Sequence, residues 1–171
     1  MEVSAWIAAL EGEFAAMENY QNREMVAELA EAESAAITLH SRLLAAKGQQ
    51  VTVQTAGPRT IVGQLEAVGE EWIVIKNREG EELVVTAQIE TIYPLHGAAG
   101  ERGSVVKASL LSALRGLRRT RKPVSIRLVS SVFNGYIAQV RADHIDLIGQ
   151  ETPHVTVSIP VRHICSVRAL Q

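Results

Sequence analysis

The chain has 171 residues, 47% hydrophobic and 21% charged, which is enough apolar material for a folded core and excludes intrinsic disorder. The formal net charge of −2 gives no overall attraction to nucleic acid or to an anionic membrane. The one cysteine, Cys165, excludes an internal disulfide and a four-thiolate zinc site. No apolar run approaches the roughly 20 residues of a membrane span, and the chain begins without the basic flank of a signal peptide. We therefore expect a cytoplasmic protein without a membrane partner.

Residues 1–47 are rich in Ala, Glu and Leu, which predicts a long helical arm. Apolar residues form two seams with alternating spacings of three and four, the heptad pattern of associating helices. The seams consist of Val3, Ile7, Leu10, Phe14 and Met17, and of Met25, Leu29, Ala32, Ala36, Leu39, Leu43 and Ala46. They are out of phase around residues 19–22, so the arm is either one helix with a shifted stripe or two helices. Lys47 and Gly48 then supply a basic last turn and a glycine stop.

The two seams predict self-association, because a lone helix would leave them exposed to water. A dimer formed through residues 3–46 would cover both seams, unless the arm folds back as a hairpin. The residues expected to form the contact are Val3, Ile7, Leu10, Phe14, Met17, Met25, Leu29, Leu39 and Leu43.

From residue 49 the apolar period changes to two, which predicts short strands. The strand segments are Val51–Val53, Ile61–Leu65, Trp72–Ile75, Leu83–Val85 and Ile89–Ile92. Five strands within about 45 residues are typical of a small β-barrel, which we place at residues 48–96.

Residues 97–122 predict a linker followed by a basic helix, with Ser104 as the N-cap. The apolar face of this helix consists of Val106, Leu110, Leu111, Leu114 and Leu117. Strand signals resume at Val124 and predict a second small β-barrel over residues 123–171. The expected fold is therefore α+β, with a helical arm and two tandem five-stranded barrels that are each preceded by a helix.

The two strand-rich segments overlay on each other, which predicts an internal duplication. Gly63 falls on Gly135, 72 residues later, and the same shift places Ile73 on Ile145. A strongly bent barrel strand needs glycine where its backbone curves, so we interpret both glycines as structural.

A helix followed by strands with Gly-x-Φ-x-x-Φ, a short turn, Φ-x-Φ and a final Φ-x-x-Φ resembles the Sm-like or SH3-like small β-barrel, where Φ is aliphatic. The resemblance covers residues 25–95 and 103–170 and implies an RNA-binding fold. Ile73 and Ile145 stand where Sm-type RNA binders carry an asparagine. Arg162 and His163 are similar to the Lys-His pair that the bacterial Sm-like RNA chaperone uses for uridines. The arrangement is also similar to small proteins of high-GC Gram-positive bacteria.

The densest charge cluster is the basic cluster of residues 115–122, with Arg115, Arg118, Arg119, Arg121 and Lys122. Five cations in eight residues favour contact with phosphates, because each neutralised phosphate releases counterions. The alternatives are an electrostatic clasp with the arm, where eight glutamates oppose two arginines in residues 1–46, and an ordinary solvated face of the helix. No aromatic residue interleaves with the arginines, so the sequence gives little support to a platform on which bases stack.

Other chemistry has less support in the sequence. Asp143, His144, His154, His163 and Cys165 show no tight metal-ligand spacing. There is no nucleophile elbow, phosphate-binding glycine loop or His-Glu-x-x-His motif, and Cys165 lies in an apolar strand, which predicts a buried, inert thiol. Asp143 and His144 are neighbours on a strand, so we expect their side chains to point to opposite faces. We predict no enzyme activity, metal or cofactor.

The function we expect is a non-catalytic module that binds nucleic acid, RNA above DNA. The residues expected to contact it are Arg115, Arg118, Arg119, Arg121, Lys122, Arg162 and His163. The alternative is a structural adaptor that self-associates and binds protein partners through its acidic arm and barrels.

Overall fold

A computed structural model describes residues 2–96, 104–150 and 154–170, with side chains described from residue 11 onward. Within these ranges the helices are α1 Glu2–Ala35, α2 Leu39–Ala45 and α3 Leu110–Arg119. The strands are β1 Gln50–Thr55, β2 Arg59–Val68, β3 Trp72–Asn77, β4 Gly80–Val85, β5 Ile89–Tyr93, β6 Val124–Arg127, β7 Val132–Val140, β8 His144–Gly149, β9 Thr156–Pro160 and β10 Ser166–Ala169. Each strand segment predicted for residues 49–95 lies within an observed strand. The predicted linker at residues 97–103 lies outside the described residues.

The chain divides into two compact units, residues 1–38 and 39–171. The first unit is dominated by α1, which runs without a break through residues 19–22. The two seams are out of phase for a repeat of 3.5 residues, but a straight helix has 3.6 residues per turn. Phe14 and Met25 are eleven residues apart, about three turns, so they lie within about 20° of one line along the helix. One continuous helix therefore aligns the seams, and none of the described helices is long and apolar enough to cross a membrane.

The helix α2 belongs to the second unit and packs into its core. Leu43 is fully buried and Ala46 nearly so, in one cluster with Val51, Val53 and neighbouring strand residues. The chain leaves this helix through Gly48 at φ +84°, and the Gly48 N–H donates to the Leu65 carbonyl at 2.7 Å. Leu43 was expected in the self-association contact, and this expectation is wrong because the side chain is already covered by the sheet.

The ten strands form one sheet in the order β5-β1-β2-β3-β4-β10-β6-β7-β8-β9. All pairings between these strands are antiparallel. The sheet is open, with β5 and β9 as its outer strands, and the two halves join where β4 pairs with β10. The α+β class and the helical arm are confirmed, whereas two separate closed barrels are not what the strand order shows.

The second half of the sheet has the same strand order and registers as the first. Leu65 pairs with Ile75, and 72 residues later Ile137 pairs with Leu147. A register irregularity follows immediately in both halves, between residues 65 and 67 and between residues 137 and 139. Bulges increase the local twist and bend a strand, so β2 and β7 bend at matching positions.

Gly63 and Gly135 lie just before these bends. A Cβ atom at Gly63 would collide with the Lys76 carbonyl oxygen, and one at Gly135 with the Ile148 carbonyl oxygen. Lys76 and Ile148 are themselves 72 residues apart, so the same close backbone approach occurs twice. Both glycines are therefore required by the backbone of the sheet.

The helix α3 begins at Leu110 rather than near Ser104. Ser109 is the N-cap, and its side chain accepts a hydrogen bond from the Ser112 N–H at 3.2 Å. The preceding segment is extended, because the Val106 N–H donates to the Val68 carbonyl at 2.9 Å and Val106 forms a parallel bridge with Gly69. The prediction of Ser104 as N-cap is wrong because this segment continues the hydrogen bonding of the sheet.

Glu82 lies at the junction between the two halves and is 2% exposed. The Ser166 hydroxyl donates to one carboxylate oxygen at 2.6 Å, and an Arg59 guanidinium nitrogen lies 2.9 Å from the other. The Arg127 Nε is buried without a hydrogen-bond partner in the described structure, and burial lowers the pKa of this guanidinium. Removing Glu82 would therefore leave the guanidinium groups of Arg59 and Arg127 at this junction without a buried negative charge.

Candidate nucleic-acid interface

The helix α3 has one apolar and one basic face. Leu110 and Leu114 are buried in the core of the second half, together with Ile126, Ile137 and other strand residues. Glu71 accepts a hydrogen bond from the Leu110 N–H at 3.2 Å, which places a carboxylate at the positive N-terminal end of the helix dipole. The cations of the basic cluster are all exposed and are concentrated at the C-terminal end.

The C-terminal end of α3 turns sharply and directs the basic cluster onto one surface. The Thr120 hydroxyl donates to the Leu117 carbonyl at 2.7 Å, and the Arg121 N–H donates to the Arg118 carbonyl at 3.1 Å. Arg121 has φ +55° and is the one non-glycine residue with positive φ in the described chain. This left-handed conformation is typical of glycine just after a helix, so an arginine occupies it at a cost in free energy.

Four residues of the basic cluster line a concavity of about 430 Å³ between α3 and β7, which we call the basic groove. Its lining consists of Arg118, Arg119, Arg121, Lys122, Tyr136, Ile137 and Ala138. The volume lies within the range of about 300–1,000 Å³ that is typical of ligand sites. The groove is therefore large enough to admit part of a nucleotide.

Among the described residues of 39–171, no side chain forms an ion pair with the basic groove. Within the described part of residues 39–171, the ion pairs involve Arg59, Arg141, His144 and Arg168. No cation of the basic cluster has a carboxylate partner there. Like charges in one concavity repel each other and attract a bound anion, and the negative end of the α3 dipole offsets only part of that repulsion.

Tyr136 is a residue of the groove that sequence reasoning missed. It lies on β7, where it is 44% exposed, and its hydroxyl makes no hydrogen bond within the described part of the second unit. The sequence separates it from the basic cluster by fourteen positions, but α3 packs against β7 and brings the two together. The available signal was its position directly after Gly135, at the bend of the second strand after the basic helix.

The other predicted contact residues are placed elsewhere. Arg115 is exposed on α3 but does not line the basic groove. Arg162 lines a separate concavity with Glu71 and Leu110, at the N-terminal end of α3, which is roughly 15 Å along the helix from its C-terminal end. His163 stays beside Arg162, whose Nε lies 3.2 Å from the His163 ring. The structure therefore brings together four of the seven predicted residues.

Cys165 and the Asp143–His144 pair complete the titratable residues singled out in the sequence. Cys165 is buried, its thiol donates to the Ala56 carbonyl at 3.4 Å, and burial raises its pKa. The prediction that Asp143 and His144 point apart is wrong, since Asp143 precedes β8 and its carboxylate lies 2.6 Å from the His144 ring. This contact lowers the pKa of Asp143. Among the described residues no group of three or more ligand-type side chains could hold a metal ion.

Comparison with known proteins adds no relative. The chain matches no protein-family model, no curated protein and no solved structure. Any function therefore has to be argued from the residues of the chain itself.

Proposed function

We propose that the protein is a non-catalytic module that binds RNA through the basic groove. The observation that supports this proposal is the set of four cations in one concavity without carboxylate partners in the described second unit. An RNA backbone supplies phosphates at regular spacing, and neutralising them releases condensed counterions. The net charge of the whole protein is −2, so the basic groove has to supply a local attraction that the rest of the molecule on balance does not.

The experiment replaces Arg118, Arg119 and Arg121 with glutamine and measures binding to fluorescent RNA at several salt concentrations. We expect weaker binding with little dependence on sequence. The dependence of log K on log salt should flatten by about 0.7 per lost phosphate contact on single strands. Glutamine removes the charge but keeps the aliphatic stem and a polar amide with two N–H donors, so the groove stays polar while its positive charge falls.

The matched control replaces three exposed cations outside the basic groove. Arg23, Lys47 and Arg78 are exposed and distant in sequence from the basic cluster, and their replacement by glutamine changes the net charge by the same amount. We expect the control to lower the affinity far less than the groove variant. Equal losses in both triple variants would refute a specific role for the groove.

The clasp between the basic cluster and the acidic arm makes the opposite prediction. RNA affinity would then be negligible in the unaltered protein, and the groove variant would lower the melting temperature or loosen self-association. Added salt would have the same effect through screening. Single surface pairs contribute only about 0–1 kcal/mol, so the triple substitution is needed to see this outcome.

We further propose that the two halves of the sheet are Sm-like or SH3-like barrels related by duplication. Matching strand order, registers and bend positions support this relationship. The same pairing also recurs at the first strand of each half, where Val53 faces Ile92 and Ile126 faces Val167. An experimental structure in which the halves superpose over all five strands would test it, and different curvature of β2 and β7 would contradict it.

Self-association through α1 is a second candidate function, supported by the exposed apolar line of that helix. Phe14 is 68% exposed, Met25 58% and Leu29 59%, so a stripe suited to a second helix is left uncovered by the described side chains of residues 11–38. We propose a dimer, measured by light scattering at micromolar concentration.

A pair of aromatic substitutions tests this dimer. Phe14→Ser should shift the protein toward the monomer, whereas Tyr20→Ser should not. Tyr20 is similarly exposed, at 64%, but lies about 120° around the helix from Phe14. A strictly monomeric unaltered protein would refute the proposal.

A further inference from the structure

We propose that Tyr136 is a base-stacking platform, so that the basic groove selects single-stranded RNA over duplex RNA. This inference rests on the proposed RNA-binding function and assigns the part of the ligand that enters the groove. The phosphates would contact the arginines at the end of α3, and one base would stack on the tyrosine ring.

The exposure and chemistry of Tyr136 support this role. Tyrosine normally buries its ring or finds a partner for its hydroxyl, but Tyr136 is 44% exposed as a residue and its hydroxyl makes no hydrogen bond within the described second unit. Four cations line the same concavity. Single-strand binding sites combine these same two components, a positive groove that follows the backbone and an aromatic ring that stacks a base.

The paired strand fixes the backbone from which the Tyr136 side chain extends. Tyr136 pairs with Ile148 on β8, and the preceding Gly135 lies so close to the Ile148 carbonyl that no side chain fits there. Because this backbone is already ordered, less backbone entropy is lost when a base stacks on the ring than when the same ring is carried by a mobile loop.

A duplex cannot use this ring in the same way. Its bases are already stacked and paired inside the helix, and sequence-tolerant recognition of double-stranded RNA depends on phosphates and 2′-hydroxyls. A duplex would therefore contact the arginines but not the tyrosine, and the tyrosine adds affinity for unpaired bases alone.

The first half of the sheet shows that the fold does not require an aromatic residue here. Gln64 occupies the equivalent position, 72 residues earlier, with Lys76 as its strand partner where Tyr136 has Ile148. The concavity around Gln64 also contains Glu79, a negative charge, and no aromatic residue. The strand geometry therefore does not require an aromatic residue at position 136, and only the second half has one there.

The experiment measures fluorescence anisotropy with a 12-nucleotide oligouridine and with an RNA duplex of the same length. Three variants of the full chain are compared with the unaltered protein: Tyr136→Gln, Tyr136→Phe and Tyr93→Gln. Glutamine is the residue found at the equivalent position, which favours correct folding. Tyr93 is a matched control, since it is an exposed strand tyrosine, at 56%, outside the basic groove.

We expect Tyr136→Gln to weaken single-strand binding by about 5- to 150-fold, the range for loss of one stacked base. Tyr136→Phe and Tyr93→Gln should change it by less than about threefold, because both keep the aromatic platform of the groove. Duplex affinity and the salt dependence should stay the same in all three variants, because the phosphate contacts are unaltered.

Each other outcome overturns a specific claim. If both RNAs bind and Tyr136→Gln leaves the single strand unaffected, or weakens both RNAs equally, the stacking role is wrong while the RNA-binding function stands. If neither RNA binds the unaltered protein, the proposed function fails and this inference fails with it. Circular dichroism establishes that each variant is folded, and if Tyr136→Gln does not fold, Tyr136→Leu replaces it and must give the same loss on single strands.

Discussion

A single substitution at Arg121 should have opposite effects on the stability of the protein and on its affinity for RNA. Its φ of +55° places it in the left-handed region just after α3, where an L-residue with a Cβ atom costs roughly 1–2 kcal/mol. Glycine adopts this conformation without that cost but loses more backbone entropy on folding, by roughly 0.5–1 kcal/mol. We therefore expect Arg121→Gly to raise the free energy of unfolding by about 0.5–1 kcal/mol, and reduced repulsion with Arg118 and Arg119 acts in the same direction.

The assay is thermal unfolding by differential scanning calorimetry, combined with RNA binding. For a chain of 171 residues, about 2–4 °C accompany each kcal/mol, so the melting temperature should rise by about 1–4 °C. The RNA affinity should fall at the same time, because one of four groove cations is lost. Arg119→Gly is the matched control, since it removes the same side chain at a helical position, where glycine destabilises by about 0.5–1 kcal/mol. A lower melting temperature for Arg121→Gly would refute the conformational argument.

Two further predictions concern the sheet. Gly63→Ala and Gly135→Ala should each destabilise the protein by about 1–3 kcal/mol, because both Cβ atoms would meet a carbonyl of the facing strand. The two losses, measured by chemical denaturation, should be similar, and a harmless substitution at either glycine would contradict the equivalence of the halves. Glu82→Ala should cost about 2 kcal/mol or more, because it removes the buried carboxylate that pairs with the partly buried Arg59 and accepts from Ser166. Glu79→Ala is its control, because the Glu79 side chain is 63% exposed, and it should cost about 0–1 kcal/mol. Equal losses for Glu82→Ala and Glu79→Ala would show that burial of the Glu82 carboxylate adds no stability.

The strands were predictable because burial on one face leaves a period of two in the sequence. Val51 and Val53 are fully buried while Thr52 between them is not, and this alternation is visible in the residues themselves. The start of α3 was not predictable from capping preference, since Ser104 and Ser109 are equally good N-caps in isolation. The choice was decided by backbone hydrogen bonds between Val106 and the sheet, which are tertiary contacts.

The arrangement of the strands was also beyond the sequence pattern. Period-two segments show which residues pair with a core, but they do not show that β4 of one half pairs with β10 of the other. The buried carboxylate of Glu82 gave no sign of its role, because a lone glutamate in a strand is normally solvated. Its partners Arg59 and Ser166 are distant in sequence and meet it only at the junction.

The candidate site was predictable in its charges and not in its aromatic residue. Five clustered cations are visible in any reading of the chain, but Tyr136 joins them only because α3 packs on β7. Arg162 and His163 were singled out by their likeness to an RNA-binding pair, and the fold places Arg162 at the other end of α3 from the basic groove. In both cases tertiary packing determines which residues share a surface, and a local sequence motif does not encode that packing.

The two halves of the sheet provide a comparison within one chain that separates residues required by the fold from residues available for function. Gly63 and Gly135 recur because the same carbonyl approaches both, and Ile73 and Ile145 recur because both are fully buried. The groove residues do not recur, since Gln64 replaces Tyr136 and the surrounding concavity includes an acid. A strained arginine, unpaired cations and an exposed tyrosine all lower stability or leave it unimproved, yet all occur at one end of α3. The concavity around Gln64 also contains cations, Lys76 and Arg78, but it has no aromatic residue, and Arg121 is the one described non-glycine residue with positive φ. A strained arginine and an exposed aromatic ring at one surface are the kind of costs that a fold alone does not require.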